Sequence, residues 1–423
     1  MVKCLTIQWK KRLSSKAMRR ARGGRRTRIQ RRDDREIFFD LMIEILRRLP
    51  AKSLMKFKCV SKLWSGLICS RYFSNLYLLT RNVSSSPSPP RPLGLFMSFT
   101  SELHFYCDSM DLCNNPGKSD LLSLRLSSSS NSVEPSLEAD LNLPGMGGHR
   151  MEILRGLILY IVCRKACIYN PTTRQSLTLP AVKSNIFAQQ ERHKRVYYFF
   201  GYDPVHDQYK IVCSVVLGSS HFLRITTEYW VFVLEPGGFW KKIEHDGQSH
   251  VPQRQGLCIN GVIYYLAFGH TCGDTIYTFD VSSEKFHRIQ APHEVSSFRG
   301  SVVFIEHGGN PSLFDYSHIK KTGVSELWVL ENSGTWSRKT LVLKPCQIHL
   351  VKDINIITLM VHGTCQNNEV ILVLPNTCYL LYYDLINNDL RKVNINRERP
   401  PDRRPYMYIT VKDNCENIMH LET

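Results

Sequence analysis

The residues of this chain that could carry covalent chemistry do not stand at the spacings such chemistry needs. Gly117-Lys118-Ser119 ends like a phosphate-binding loop, but that loop needs a glycine where Leu112 stands. Gly145-Met146-Gly147-Gly148 opens no helix, so it offers no N-terminus to a pyrophosphate. The 15 histidines show no metal-ligand spacing and no His-Glu-x-x-His, and a histidine near a strand end reads as a hydrogen-bonded surface residue. Cys163 and Cys167 fit neither a zinc knuckle nor a redox pair, and no Cys-x-x-Cys occurs. No serine sits in a nucleophile elbow, and no Cys–His pair has a recognisable third partner. No catalytic residue, metal or cofactor is expected.

The chemistry on offer is contact. Between Asp40 and Phe73, Leu41, Ile45 and Leu49 recur every four residues with Met42 and Leu46 beside them, the spacing of one helix stripe. Pro50 must end that helix, because the residue before a proline is pushed out of the helical region. A second apolar set follows at Leu54, Phe57, Val60, Leu63, Trp64, Leu67 and Ile68. Ser53 and Ser61 stand where N-caps would start two more short helices. A bundle this small cannot bury so many large apolar side chains, so something else must cover part of them.

These residues resemble an F-box. Glu44-Ile45-Leu46, Leu49-Pro50, Lys52-Ser53-Leu54, Val60-Ser61-Lys62 and Trp64 stand at that family's spacings, in the manner of plant F-box proteins. The resemblance implies docking onto the Skp-type adaptor of a cullin-based ubiquitin ligase. It assigns Leu41, Ile45, Leu46, Leu49, Pro50, Leu54, Val60 and Trp64 to the adaptor face and its support. One position departs: the family opens with a proline two residues before the Asp-Leu pair, and here that residue is Phe38. Loss of that proline loosens the entry turn and leaves open a receptor that docks poorly.

The rest of the chain must position whatever such a module delivers. Its 423 residues exceed the usual single domain, and an apolar share of 43% is ample for a core. Of the net charge of +18, +12 falls in residues 1–35, so basicity belongs to a tail. No apolar run follows that charged start, so no signal peptide is read, and no stretch approaches the roughly 18 apolar residues that span a bilayer. Fourteen cysteines scattered through a chain of this length read as reduced, mostly buried thiols. The expected organisation is a disordered basic tail (1–35), a helical F-box (36–80), a Ser/Pro linker (81–92) and a large β domain (93–415). Ser127 to Pro135 reads as a long polar loop.

The β domain is read from runs such as Leu157–Cys163, Lys210–Val216, Tyr229–Leu234, Val262–Phe268, Leu327–Leu330, Val370–Leu374 and Tyr379–Tyr383, cut by Gly, Pro, Asn and Asp. A weak repeat runs through it. In Tyr277-Thr278-Phe279-Asp280-Val281 an acid closes a strand, Phe286 opens the next and Ile289 follows. Asp384, Leu390 and Val393 keep those offsets, and Asn170 with Ser176 repeats the turn with a polar second anchor. Glu235 to Trp240 and Glu331 to Trp336 use a turn one residue shorter. The widest gap holds Gly201 to Lys210, read as an extra hairpin. Spacings of about 45–65 residues suit four-stranded propeller blades, kelch-type units running about 50, and leave room for roughly six. An open stack of antiparallel sheets is the alternative. Trp230, Trp240, Trp328 and Trp336 read as blade packing rather than a ligand cage. Asn170-Pro171 and Asp203-Pro204 are turn initiators first.

Gly156-Leu157-Ile158-Leu159, Tyr169 to Gln175, Phe200 to Pro204, Tyr209-Lys210-Ile211-Val212, Cys258 to Ala267 and Leu327-Trp328-Val329-Leu330 resemble the F-box-associated domain of plant F-box proteins, over most of residues 95–390. The resemblance implies that this domain recruits a protein substrate through loops on one propeller face. The expected function is therefore a non-catalytic substrate receptor of a Skp–cullin–F-box ligase in nucleus and/or cytoplasm, without membrane contact. A propeller enzyme, such as a kelch-like oxidase, would need a metal or radical site. A nucleic-acid binder would act through Lys10-Lys11-Arg12 to Arg31-Arg32, where only Trp9 is aromatic and base stacking is poorly served. That tail also reads as a localisation signal or a solvated extension.

Overall fold

Pro50 divides the N-terminal apolar stretch in the computed structural model of the chain: a helix over residues 39–48 stops there and a new one, Ala51–Phe57, starts. The structure describes residues 39–82 and, in segments, most of 94–421. Residues 1–38, 83–93, 101–118, 128–135, 147–150, 189–193, 219–224, 296–300, 364–367, 397–407 and a few shorter stretches lie outside the described residues. The basic tail, Phe38, the expected linker and most of the polar loop after Ser127 fall among them. Two units divide the chain, Met1–Val83 and Ser84–Thr423.

In the first unit, Ser53 is not the cap expected of it. Pro50 holds that place with φ −59° and ψ 147°, and its carbonyl accepts from Ser53 and Leu54 N–H at 2.9 and 3.1 Å. The proline ring presets the angle a helix entry needs, which moves the start three residues earlier. Ser61 does cap Lys62–Ile68, its Oγ accepting from Trp64 N–H at 3.2 Å. Ser70 caps Arg71–Asn82 in the same way through Phe73 N–H. Buried are Met42, Ile43, Leu46, Ala51, Leu54, Leu67, Ile68, Phe73, Tyr77 and Leu78.

The second unit, among the described residues, is a ring of six antiparallel blades, five of four strands and one of five. Blade 1 combines Gly94–Thr100, Ser119–Ser127 and Ser136–Pro144 with the C-terminal strand Tyr408–Asp413, which pairs with the first of them. Blades 2, 3, 5 and 6 follow in chain order over 152–178, 194–243, 302–342 and 360–396. In blade 4, over 250–289, two short strands share the innermost place. Blades 6 and 1 are joined further, because their outermost strands pair in parallel at Asn394–Asn396 and Ser136–Glu138.

Strand periodicity explains the ring. Successive side chains point to opposite faces, and both faces of every blade meet a neighbour. In Gln208–Gly218, Ile211, Cys213, Val215 and Leu217 pack toward blade 2, while Val212 and Val216 pack toward blade 4. The strands therefore read as nearly continuous apolar runs. Six apolar clusters fill the six seams: Phe96 with Ile158 (blades 1 and 2), Leu157 with Phe200 (2 and 3), Val212 with Tyr265 (3 and 4), Leu266 with Leu313 (4 and 5), Phe314 with Leu372 (5 and 6), and Ile371 with Leu95 (6 and 1). The ring closes, and the open stack is excluded.

The repeat seen in the sequence is a turn. Asn170, Asp280 and Asp384 each end the third strand of a blade, and each side-chain oxygen accepts backbone N–H groups two or three residues on. Arg174, Glu284 and Asn388 complete the turns at φ 58°, 57° and 53°. The stretch around Gly201 to Lys210 is not an extra hairpin. It joins the first two strands of blade 3 and uses the same chemistry, with Asp203 Oδ1 accepting from Val205 and His206 N–H and Asp207 at φ 56°. The shorter turns place Gly237 and Gly334 at φ 74° and 80° after Glu235 and Glu331.

Packing continues past residue 415. Asn417, Ile418, Met419 and Leu421 are buried, Met419 and Leu421 in the cluster between blades 2 and 3, and Asn417 Nδ2 donates to the Arg155 carbonyl at 2.6 Å. Thiols are distributed less deeply than expected: of the seven described, none disulfide-bonded, Cys167 and Cys213 are buried, while Cys59, Cys346 and Cys378 are exposed. His250 also departs from expectation. It is wholly buried, stacked on Tyr277 at 3.7 Å, within hydrogen-bond distance of Tyr265 Oη at 2.7 Å.

Candidate adaptor-docking face and propeller ends

The first helix has two apolar faces, and only one is used internally. Met42, Ile43 and Leu46 are buried, whereas Leu41 and Ile45, one turn apart, are 56% and 60% exposed. The stripe expected to run through Leu41, Ile45, Met42 and Leu46 together is thus split, because i and i+4 share a face and i+1 lies about 100° away. Glu44, between the exposed pair, holds Arg47 at 2.9 Å and Arg48 at 2.7 Å.

The other expected docking residues divide in the same way. Leu54 is fully buried with Leu46, so both support the fold rather than offer surface. Leu49 is half-buried, and Pro50 is exposed at the turn. Val60, 61% exposed, ends the turn after Ala51–Phe57, and Leu63 beside it is 48% exposed. Trp64 is half-buried, its ring 5.1 Å from Phe57 and tilted 44° to it. Leu79, in Arg71–Asn82, is a further exposed leucine that sequence periodicity did not single out. Large apolar side chains held outward on short helices and the turns between them are suited to burial by another protein.

In the propeller, connections alternate between the two ends of the ring. One end gathers the tight turns, 171–174, 204–207, 281–284 and 385–388 among them, together with the C-terminal segment. The long connections leave from the other, including 316–323, 179–188 and 343–352.

The buried charges lie at junctions between blades. Lys210 of blade 3 reaches Glu284 at 2.9 Å and the Val281 carbonyl at 2.8 Å in blade 4. Ser282 donates to Asp203 at 2.6 Å. Burial acts to raise the Asp203 carboxyl, but hydrogen bonds from Ser282, His206 and Val205 outweigh it and hold the group well below the usual range. Glu284 is likewise lowered, donors on Lys210 and Lys241 overcoming burial. Glu152 goes the other way. Its carboxyl joins the inner parts of blades 2, 3 and 4, accepting from Phe200 N–H at 2.8 Å and from Gly256 N–H, just before Leu257–Ile259, at 3.2 Å. Burial pushes it up to about 8, against the pull of those donors and of Lys412. Gly256 is needed at this junction, since a Cβ there would lie 2.8 Å from the Phe199 ring. Among the described residues no group of His, Cys, Asp and Glu is placed to hold a metal ion.

Comparison with known families matches residues 37–76 to the F-box domain and residues 109–419 to the F-box associated beta propeller domain. A putative F-box protein of Arabidopsis thaliana is 56% identical over 384 residues, covering 90% of this chain and 96% of its own length. An F-box/LRR-repeat protein of the same plant is 40% identical over 408 residues, covering 91% and 88%. Among solved structures, apo AztD from Citrobacter koseri aligns with 77% of this chain and 99% of its own at 10% identity and a TM-score of 0.36, too loose a likeness to bear on function.

Proposed function

The chain belongs to the F-box proteins that carry an F-box-associated β-propeller, and from that premise we propose that it is the substrate-recognition subunit of a Skp–cullin–F-box ubiquitin ligase. The observation that carries the reading is the outward pair Leu41 and Ile45 on a helix whose opposite face is buried. A Skp-type adaptor covers that pair together with Pro50, Val60 and the open edge of Trp64, and a cullin scaffold is reached through the adaptor. The propeller recruits a protein client. No catalysis by this chain is required, because holding a client beside a charged ubiquitin carrier turns a bimolecular encounter into a tethered one.

The kelch-like character of the propeller rests on the period of its turns. Work in nucleus and/or cytoplasm fits the role, and no helix among the described residues is long and apolar enough to cross a membrane. The test is co-purification with a Skp-type adaptor. Leu41→Asp with Ile45→Asp should abolish it while leaving the melting temperature unchanged. Undiminished co-purification by the double variant would refute the assignment.

A further inference from the structure

Indole or amide donors fasten the rim of the propeller at three seams among the described residues, whereas between blades 3 and 4 the rim tie is a salt bridge, Lys241 to Glu284 at 3.1 Å. The outermost strand of blade 3 opens with Trp240, whose Nε1–H donates to the Pro180 carbonyl of the preceding connection at 2.6 Å. Blade 5 repeats this with Trp336 and the Gln290 carbonyl at 2.9 Å. Blade 6 is tied to blade 5 by Asn388 on the Val342 carbonyl and by Lys344 on Asp389. In blade 4 the corresponding residue is Phe286, whose ring has no N–H to give. Its ring packs against Tyr229 at 4.5 Å and His245 at 4.8 Å, and a cleft of about 810 Å³ opens at this seam, between blades 3 and 4.

The lining suits one kind of guest. The half-buried Phe286 and His245 give it aromatic surface beside the buried Tyr277, and Lys241, Lys242, Lys285 and Arg288 bring four cationic groups. Glu244 and Glu284 are the acids among the lining residues; Glu284 is engaged by Lys210 and Lys241, and Lys242 is engaged by Glu228 at 2.9 Å, so two of the four cations are held in pairs within the protein. The cleft thus carries an excess of positive charge around rings. Rings favour tilted or stacked aromatic partners, and cations favour both an aromatic face and carboxylates.

We propose that this seam binds an extended acidic segment of a client protein and takes up one of its aromatic side chains, where neighbouring seams hold an indole of their own. The inference rests on reading the propeller as the client-recruiting part and assigns that role to one groove.

The experiment uses the full chain co-expressed with its Skp-type adaptor. The probe is a fluorescein-labelled peptide with one tryptophan between runs of glutamate, followed by anisotropy. Two controls replace the tryptophan by alanine or the glutamates by lysine. The acidic tryptophan peptide should bind at least about tenfold more tightly than either control, about 1.4 kcal/mol. Phe286→Trp, which fills the seam, and Lys285→Glu with Arg288→Glu, which reverses its charge, should each weaken it about tenfold. Melting temperature and adaptor co-purification should stay unchanged. If Phe286→Trp fails to fold, the charge-reversed variant decides. Equal binding of the three peptides, no binding of any, or full binding by the folded variants overturns the proposal. Retained adaptor in those cases leaves the docking reading standing, so the two failures are distinguishable.

Discussion

Asn170 donates its side-chain amide to the Met419 carbonyl at 2.7 Å, across 249 residues of chain. The same side chain caps its own turn through Thr172 N–H at 3.0 Å, so one residue shapes blade 2 and holds the C-terminal segment on it. Gln175 adds a reciprocal pair with Leu421, at 3.1 and 3.3 Å. Ile418, fully buried in that segment, should cost about 2–5 kcal/mol when replaced by alanine. Removal of residues 416–423 should cost more still and lower the denaturant midpoint. Equilibrium unfolding measures both, and an unshifted midpoint for the truncated chain would contradict the role assigned to the segment.

Stability and docking should separate on the first helix. Leu46→Ala leaves a cavity and should destabilise the helical unit by about 2–5 kcal/mol. Leu41→Ala, at an exposed site, should change stability by no more than about 0.5 kcal/mol yet weaken adaptor binding. Thermal melts paired with adaptor titration check the contrast. Equal destabilisation by the two would mean that the outward face is already covered.

The carboxyl of Glu152 predicts a pH dependence. Its folded pKa, near 8, lies above the ordinary 4.5, so the folded protein keeps a proton that the unfolded chain releases. The stabilising contribution is complete below about pH 4.5 and is lost as pH rises through about 8. Glu152→Gln cannot lose that proton. Its melting temperature should fall less between about pH 5 and 8 than that of the unmodified protein. Parallel curves would count against a buried, protonated Glu152.

Trp240→Phe and Trp336→Phe test the rim fastening. Each keeps a ring and removes one N–H donor, for an expected cost of about 0.5–1.5 kcal/mol. The two sites lie in blades 3 and 5, so the double variant should show the sum within about 0.5 kcal/mol. Costs near zero would show that ring packing alone fastens these seams.

Much of the architecture was legible because its signals are local. Pro50 and Ser61 mark helix boundaries through their own backbone and side chain. Asn170, Asp280 and Asp384 repeat because each turn needs an oxygen to accept the next backbone N–H groups. What depended on distant partners was not legible. Apolarity could not tell Leu41 from Leu46, since which face turns inward is set by helices farther along. Gly201 to Lys210 looked additional because the inner hairpin of blade 3 uses the same turn chemistry as the outer ones. Met419 and its neighbours show no periodicity, and their partners Asn170 and Gln175 lie about 245 residues earlier. The cleft beside Phe286 is visible only when that ring is set against Trp240 and Trp336 across seams.

The strand Tyr408–Asp413 completes blade 1 by lying beside Gly94–Thr100. On the ribosome, completion of the ring waits for this strand. Blades 2 to 6 can assemble in order as they emerge, but the first three strands of blade 1 must wait for a partner about 300 codons downstream, a long-range closure that is intrinsically slow. The helical unit is released long before that moment. The helical unit can therefore be complete while the propeller is still unfinished, and chaperone demand should peak in that interval.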